Sequence, residues 1–320
     1  MKLSASPFLA PSPEFSRYDS AAVVVLPFPY EGGVSYGRGA GAAPQAILDA
    51  SAHVEGYDEV LKVEPYLMGI ATVAPPAIPN HPEGMIRTLH ERTSALLRDD
   101  KFVVVLGGDH SISSGYFRAL LEKYGRLSCI QLDAHSDLRD EYEGSKLSHA
   151  SVMARIREMT PHVLQLGIRS QCLEEARAIA ANGWAVCTMH DYRKALFDAD
   201  RALAALPDPV FLTVDLDAFD LSVIRSTGTP EPGGFTWDEG LDLLQRIFLR
   251  KDVVGFDLVE LSYDGVDRSS AFCAARLAYK MLGFKLAAAV ARGVTGWPTQ
   301  PVGPLFRCRP TDRSSPGGGA

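Results

Sequence analysis

The sequence predicts an α/β fold: a three-layer α/β/α sandwich around a mainly parallel sheet. Three observations predict it. Short apolar runs alternate with amphipathic stretches along most of the chain. Those runs are almost continuously apolar, as strands covered on both faces must be. Polar residues of ligand type follow several of the runs directly, at the carboxyl ends of strands, where parallel sheets place their ligands.

Ala22 to Leu26 predicts the first strand, and Pro44 to Ala50 a helix with proline in its first turn. An amphipathic helix over 82–97 precedes a strand over 102–106, a helix over 112–124 and a strand over 127–132. The alternation continues with helix 150–159, strand 163–167, helix 172–181 and strand 184–188. Helix 191–205, strand 210–214, helix 237–249, strand 253–259 and helix 269–287 complete it. Repeated βα units of this kind build one sheet with helices on both faces. Residues 1–17 mix Pro and Ser and read as a flexible segment. Residues 18–306 read as a single catalytic domain, and 307–320 as a disordered tail rich in Pro, Ser, Gly and charge.

Composition narrows the function classes. With 320 residues, 46% of them hydrophobic, the chain has ample material for a large core. A net charge of -7 without basic runs argues against a nucleic-acid partner. No apolar stretch is long enough to span a membrane, and the first 17 residues lack a signal-peptide pattern. Five cysteines without paired short spacing suggest a reduced, cytoplasmic protein.

The chemistry lies in three strand ends. In Gln131-Leu-Asp-Ala-His-Ser-Asp137, alternate side chains of an extended chain point the same way, so Asp133, His135 and Asp137 converge. The run Val103 to Leu106 enters Gly107-Gly108-Asp109-His110-Ser111, and Phe211 to Val214 enters Asp215-Leu216-Asp217. Taken singly, Asp-x-Asp after a strand is commonly a solvated turn or a helix cap, and Gly-Gly before a polar pair is ordinary turn chemistry. Together they bring four carboxylates and two histidines to one sheet edge. Such a cluster cannot stay ionised when desolvated unless cations accompany it. One divalent metal ion or two would resolve this, and an oxygen and imidazole set without thiolate suits Mn²⁺, although zinc, iron, cobalt or nickel also fit.

These motifs resemble the ureohydrolase family of arginases and agmatinases, most closely its bacterial agmatinase-like members. The likeness runs from about Val25 to Leu286 and includes Ser148-His-Ala-Ser151 and Gly228-Thr-Pro-Glu-Pro-Gly-Gly234. It implies an arginase-like sandwich with a manganese pair at the carboxyl ends of the strands, and a trimer or hexamer. By position, His110 and Asp137 would serve one ion, His135 and Asp217 the other, and Asp133 and Asp215 both. His149 matches the family's proton-transfer histidine and Glu260 its guanidinium-binding glutamate.

The expected reaction is hydrolysis of a small linear guanidino compound to urea and an amine, with agmatine to putrescine first. Asp137 would orient the nucleophile, Glu260 hold the guanidinium and His149 protonate the leaving amine. Asp140, Glu141 and Glu143 suit a cationic tail, whereas Arg225 suits guanidinobutyrate or another guanidino acid. Departures at Leu221, Arg225, Ser226 and Tyr263 are expected to border the pocket. More remote alternatives are a single-zinc deacetylase-like amidohydrolase and a non-catalytic polyamine-binding protein. Gly37-Arg-Gly-Ala-Gly-Ala42 fits a dinucleotide fingerprint, but the preceding strand ends near Leu26, too early for the tight turn that a pyrophosphate requires.

Overall fold

The structure, a computed structural model, describes residues 1–293. Among these, eight strands form one sheet in which every pairing is parallel. They are β1 (Val23–Phe28), β2 (Ile70–Thr72), β3 (Phe102–Gly107), β4 (Ser128–Leu132), β5 (Val163–Ile168), β6 (Ala185–Thr188), β7 (Val210–Asp215) and β8 (Val253–Val259). Their spatial order is β2-β1-β3-β8-β7-β4-β5-β6.

Successive side chains of each strand enter opposite cores. Val104 and Leu106 of β3 pack with α1 (Ala43–Ser51), α8 (Trp237–Arg250) and α9 (Arg268–Ala291). Val103 and Val105 pack with α2 (Pro82–Arg98), α3 (Ser113–Tyr124) and α4 (Val152–Met159) on the other face. The helices begin where their caps dictate: Thr236 accepts from the Glu239 N–H, and the Glu239 carboxylate accepts from the Thr236 N–H, closing a capping box at the start of α8. On the rim of the α1/α9 layer, the buried Lys280 of α9 pairs with the buried Asp58 at 3.1 Å.

The crossover from β3 to β4 skips the places of β7 and β8, so β3, β8, β7 and β4 stand side by side in the centre of the sheet. This reversal of strand order opens a crevice at the carboxyl edge. The strand ends bearing the predicted ligands, and the one bearing Glu260, are these four neighbours.

The fold departs from expectation in three places. β2 was not anticipated, because Ile70-Ala71-Thr72 is too short to show a periodicity. The expected helix 191–205 is two helices, α6 (Met189–Arg193) and α7 (Ala199–Ala205), after α5 (Leu173–Asn182) and β6. Ala195 takes a left-handed φ of 52°, and the Asp198 side chain accepts from the Arg201 N–H, restarting the helix as its cap. Residues 1–17 were expected to form a flexible segment, yet they lie against the sheet edge: Leu3 bridges Val73, and Phe8 is buried beside Thr72. The predicted tail 307–320 falls outside the described residues. No helix among the described residues is long and apolar enough to cross a membrane.

Candidate metal centre and active site

Local backbone chemistry fixes each strand end. Gly108 follows β3 where a Cβ would lie 2.0 Å from the Tyr30 carbonyl oxygen, so only glycine admits this approach. The Asp109 N–H then donates to that carbonyl at 2.9 Å, and Asp109 Oδ1 caps the following turn at the Ser111 N–H, which orients His110. Between β4 and β7, Asp217 Oδ1 accepts from the Ala134 N–H at 3.0 Å and Asp215 Oδ1 from the Asp217 N–H at 2.9 Å. Asp137 and Glu260 have left-handed φ values of 52° and 65°. For residues with a Cβ this conformation costs about 1–2 kcal/mol each, and here it turns both carboxylates back toward the crevice.

All six predicted ligands meet there. His110 Nδ1 lies 3.1 Å from Asp133 Oδ2, 3.2 Å from Asp137 Oδ2 and 3.3 Å from Asp215 Oδ2. His135 Nδ1 lies 2.9 Å from Asp217 Oδ2 and 3.7 Å from Asp133 Oδ1. Two sets of donor atoms, His110/Asp133/Asp137 and Asp133/His135/Asp217, are each compact enough to hold a metal ion, and Asp133 belongs to both. His110 Nδ1 is buried without a hydrogen-bond partner of proper geometry, although three carboxylates surround it. An imidazole nitrogen aimed into a ring of carboxylate oxygens is what a shared divalent cation requires, so the donor set fits two such ions.

Electrostatics among the protein groups alone show how strongly this cluster seeks positive charge. Burial opposes protonation of His135, yet the Asp133 and Asp217 carboxylates push it up to about 12. His110 is likewise raised, by Asp133, Asp137 and Asp215 against the effect of burial. Burial and the neighbouring Asp133 charge raise Asp137, while burial with Asp217 and Asp133 raises Asp215. Protons on these groups compete with a metal ion for the same atoms, so binding releases protons and tightens as pH rises. Calorimetric titration of Mn²⁺ in buffers of different ionisation enthalpy is expected to show this release, with apparent affinity higher at pH 8 than at pH 6.

Two buried chains of hydrogen bonds support the ligands. With His110 Nδ1 facing the carboxylates, its Nε2–H donates to Thr213 Oγ1 at 2.9 Å. Thr213 lies 3.4 Å from Ser113 Oγ, which donates to Asp257 Oδ2 at 2.7 Å. Burial raises Asp257 to about 6 despite these donors. On the other side, Arg157 donates to Gln165, Gln165 to Gln131 and Gln131 to Asp133 Oδ2, the last at 2.6 Å. Thr213→Val removes the acceptor of the His110 Nε2–H seen among the described residues while preserving volume, and is expected to weaken metal affinity about 10- to 100-fold, as read by competition with a chelating dye. Sequence reasoning missed these residues. Their signal was polar side chains at Gln131, Thr213 and Asp257 inside otherwise apolar strands.

The cluster forms one wall of a cavity of about 190 Å³, lined also by Ser35, Arg139, Tyr142, His149, Thr229 and Glu260. Glu260 Oε1 accepts from the His110 N–H at 2.6 Å. Burial and the Asp109 charge raise its pKa, so the ionised carboxylate calls for a cationic partner. His149 opens the turn before α4, with Nε2 at 3.5 Å from Ser35 Oγ and its ring edge-on to Tyr142 at 5.5 Å. Burial lowers its pKa, opposed by Asp109 and the Gly33 backbone, so the imidazole is neutral near neutral pH.

Other expected site residues lie elsewhere. Asp140 is exposed and spent on Lys146 and Arg155, at 2.9 and 2.8 Å. Arg225 is exposed and absent from the cavity wall, anchored through its N–H by Ser270. Leu221 and Ser226 do not line the cavity either, and Tyr263 faces a separate one between α1 and the start of α9. The Gly39 and Gly41 amides donate to the Glu31 carboxylate at 2.9 and 2.8 Å, which occupies the position a pyrophosphate would need.

A parallel sheet that gathers paired His/Asp clusters at its central strand ends defines a metallohydrolase-type site. The Arginase family model matches residues 21–283, and the chain belongs to the arginase family, hydrolases that act on C–N bonds of guanidino compounds. It is 39% identical over 281 residues to the N(1)-aminopropylagmatine ureohydrolase of Synechocystis sp., covering 85% of this chain and 92% of that protein. It is 34% identical to the agmatinase of Pyrococcus horikoshii, covering 82% and 92%. The agmatine ureohydrolase structure from Thermoplasma volcanium superposes with a TM-score of 0.80 at 27% identity, covering 91% of this chain and 97% of that one.

Proposed function

We propose that this chain hydrolyses a linear guanidino amine of the agmatine class to urea and the free amine, with two divalent cations, Mn²⁺ by donor chemistry, held by His110, Asp133, His135, Asp137, Asp215 and Asp217. The observation that carries the proposal is the sharing of Asp133 between two donor sets at the foot of a cavity that also holds Glu260 and His149. The similarity to an aminopropylagmatine ureohydrolase and an agmatinase supports the substrate class. A shared carboxylate favours a pair of ions over the single zinc of a deacetylase-like site. Arg225, the residue that favoured a guanidino acid, stands off the cavity wall.

Bound there, the two cations would neutralise the carboxylates and lower the pKa of a water used as nucleophile. Glu260 takes the guanidinium through paired, charge-assisted hydrogen bonds and presents its central carbon to the cluster. Asp137, held in its left-handed turn, orients the attacking water through its carboxylate. Neutral His149 receives the proton that the water loses and returns it to the departing amine. The atoms balance as guanidinium plus water giving urea plus protonated amine. Urea should form from agmatine, with added Mn²⁺, much faster than from arginine or guanidinobutyrate. Urea from none of a panel of guanidino compounds would remove the hydrolase reading.

A further inference from the structure

Tyr142 lines both the active-site cavity and a second one of about 90 Å³. Tyr30, Gly33, Ser111, Glu143, Ser145 and Leu147 help line this farther space. Its polar groups are disposed toward a ligand. Ser111 is 2% exposed, and its Oγ has no hydrogen-bond partner among the described residues. Glu143, exposed on the tight turn that it forms with Gly144 at a φ of 48°, lines this cavity and makes no ion pair among the described residues, in contrast to Asp140. Glu141, the third acid of the loop, lines neither cavity.

The nearer cavity offers little to the far end of a cationic substrate. Its carboxylates serve the metal cluster and, through Glu260, the guanidinium. Its rim carries Arg139, whose guanidinium stands over the Tyr142 ring at 5.4 Å. Across Tyr142, the Glu143 carboxylate attracts an ammonium on a substrate tail long enough to reach it.

We propose that the cavity behind Tyr142 is a tail subsite for the distal ammonium of an extended guanidino polyamine, with Glu143 as its counter-charge and Ser111 as a hydrogen-bonding group along the way. The inference rests on the hydrolase reading and deepens it. The subsite distinguishes substrates by length: agmatine ends within the nearer cavity, whereas an aminopropyl extension carries a further ammonium past Tyr142 to Glu143. Length selection then arises from a charge-assisted hydrogen bond that only the longer tail can form.

The test compares urea release from agmatine and from N(1)-aminopropylagmatine by the full chain loaded with Mn²⁺, for wild type, Glu143→Gln and Glu141→Gln. Wild type is expected to favour the longer substrate in kcat/KM. Glu143→Gln should lower kcat/KM for aminopropylagmatine by about 10- to 100-fold, mainly through KM, and leave agmatine nearly unchanged. Turnover of agmatine shows that the variant is folded and metal-loaded. Glu141→Gln should leave both substrates as in wild type. Equal effects of Glu143→Gln on the two substrates, no effect on either, or a wild-type preference for agmatine would overturn the subsite while leaving the hydrolase reading intact. Urea from neither substrate with wild type would overturn both.

Discussion

Asp133→Asn is expected to strip the chain of tightly bound divalent metal and of urea-forming activity together. The side chain is the one member common to both donor sets, and each oxygen is already engaged: Oδ1 accepts from the His135 N–H and Oδ2 from Gln131 Nε2, both at 2.6 Å. An amide cannot satisfy these positions. Its NH₂ must face either one of those two donors or the cation, and the charge that draws positive ions is gone. Alteration of groups that merely support a metal ligand typically costs 10- to 100-fold, so loss of a shared ligand should exceed about 100-fold in affinity. Elemental analysis after desalting, with a urea assay on the same sample, checks the pairing of the two losses. A variant that kept a full complement of metal would show that Asp133 does not belong to the centre.

His149→Ala should separate what Asp133→Asn joins. His149 lines the cavity but belongs to neither donor set, so the ions should stay while kcat falls by about 10²- to 10⁴-fold, the usual worth of a positioned proton-transfer group. Added imidazole should restore part of the rate, because the truncation leaves space beside Tyr142 where the ring had packed. The acid limb of the kcat profile should also change, because His149 is held neutral by burial and collects its proton during turnover. Loss of metal in this variant would assign it a structural role instead.

The sheet and the histidine–carboxylate cluster were legible in the sequence for the same physical reason. Strands buried on both faces have to be apolar, so Asp133, His135, Asp137, Asp215 and Asp217 stand out where those runs end. The six side chains do converge, though not all by alternation along an extended chain: Asp137 comes in through a left-handed turn and Asp217 from a 3-10 turn. Elements decided by single contacts were not legible. β2 exists because Ile70 to Thr72 pair along β1, a long-range contact that three residues cannot announce. The break between α6 and α7 depends on the Asp198 cap and the left-handed Ala195, which apolar periodicity across 191–205 conceals.

Which acid of the 140–143 loop lines a cavity was the least legible part, because charge sign alone cannot say it. Asp140 and Glu143 lie in one loop, yet Arg155 and Lys146 claim the first, while the second has no ion pair among the described residues. Arg225 was expected at the pocket border because Arg225-Ser226 departs from the family pattern just before Thr227-Gly-Thr-Pro230. The chain between Asp220 and Thr227 instead carries it to the surface, where Ser270 holds its backbone. The supporting chains through Thr213 and Gln131 were visible as polar residues in apolar strands, but their partners on α3 and β5 are set only by the packing of the sheet.

The most direct test of the metal centre is anomalous diffraction from crystals grown with Mn²⁺, recorded near the manganese absorption edge. Two anomalous peaks per chain are expected at the carboxyl ends of β3, β4 and β7, about 3.5–4 Å apart, with Asp133 reaching both. A single peak, or a pair of peaks away from Asp133, would contradict the account.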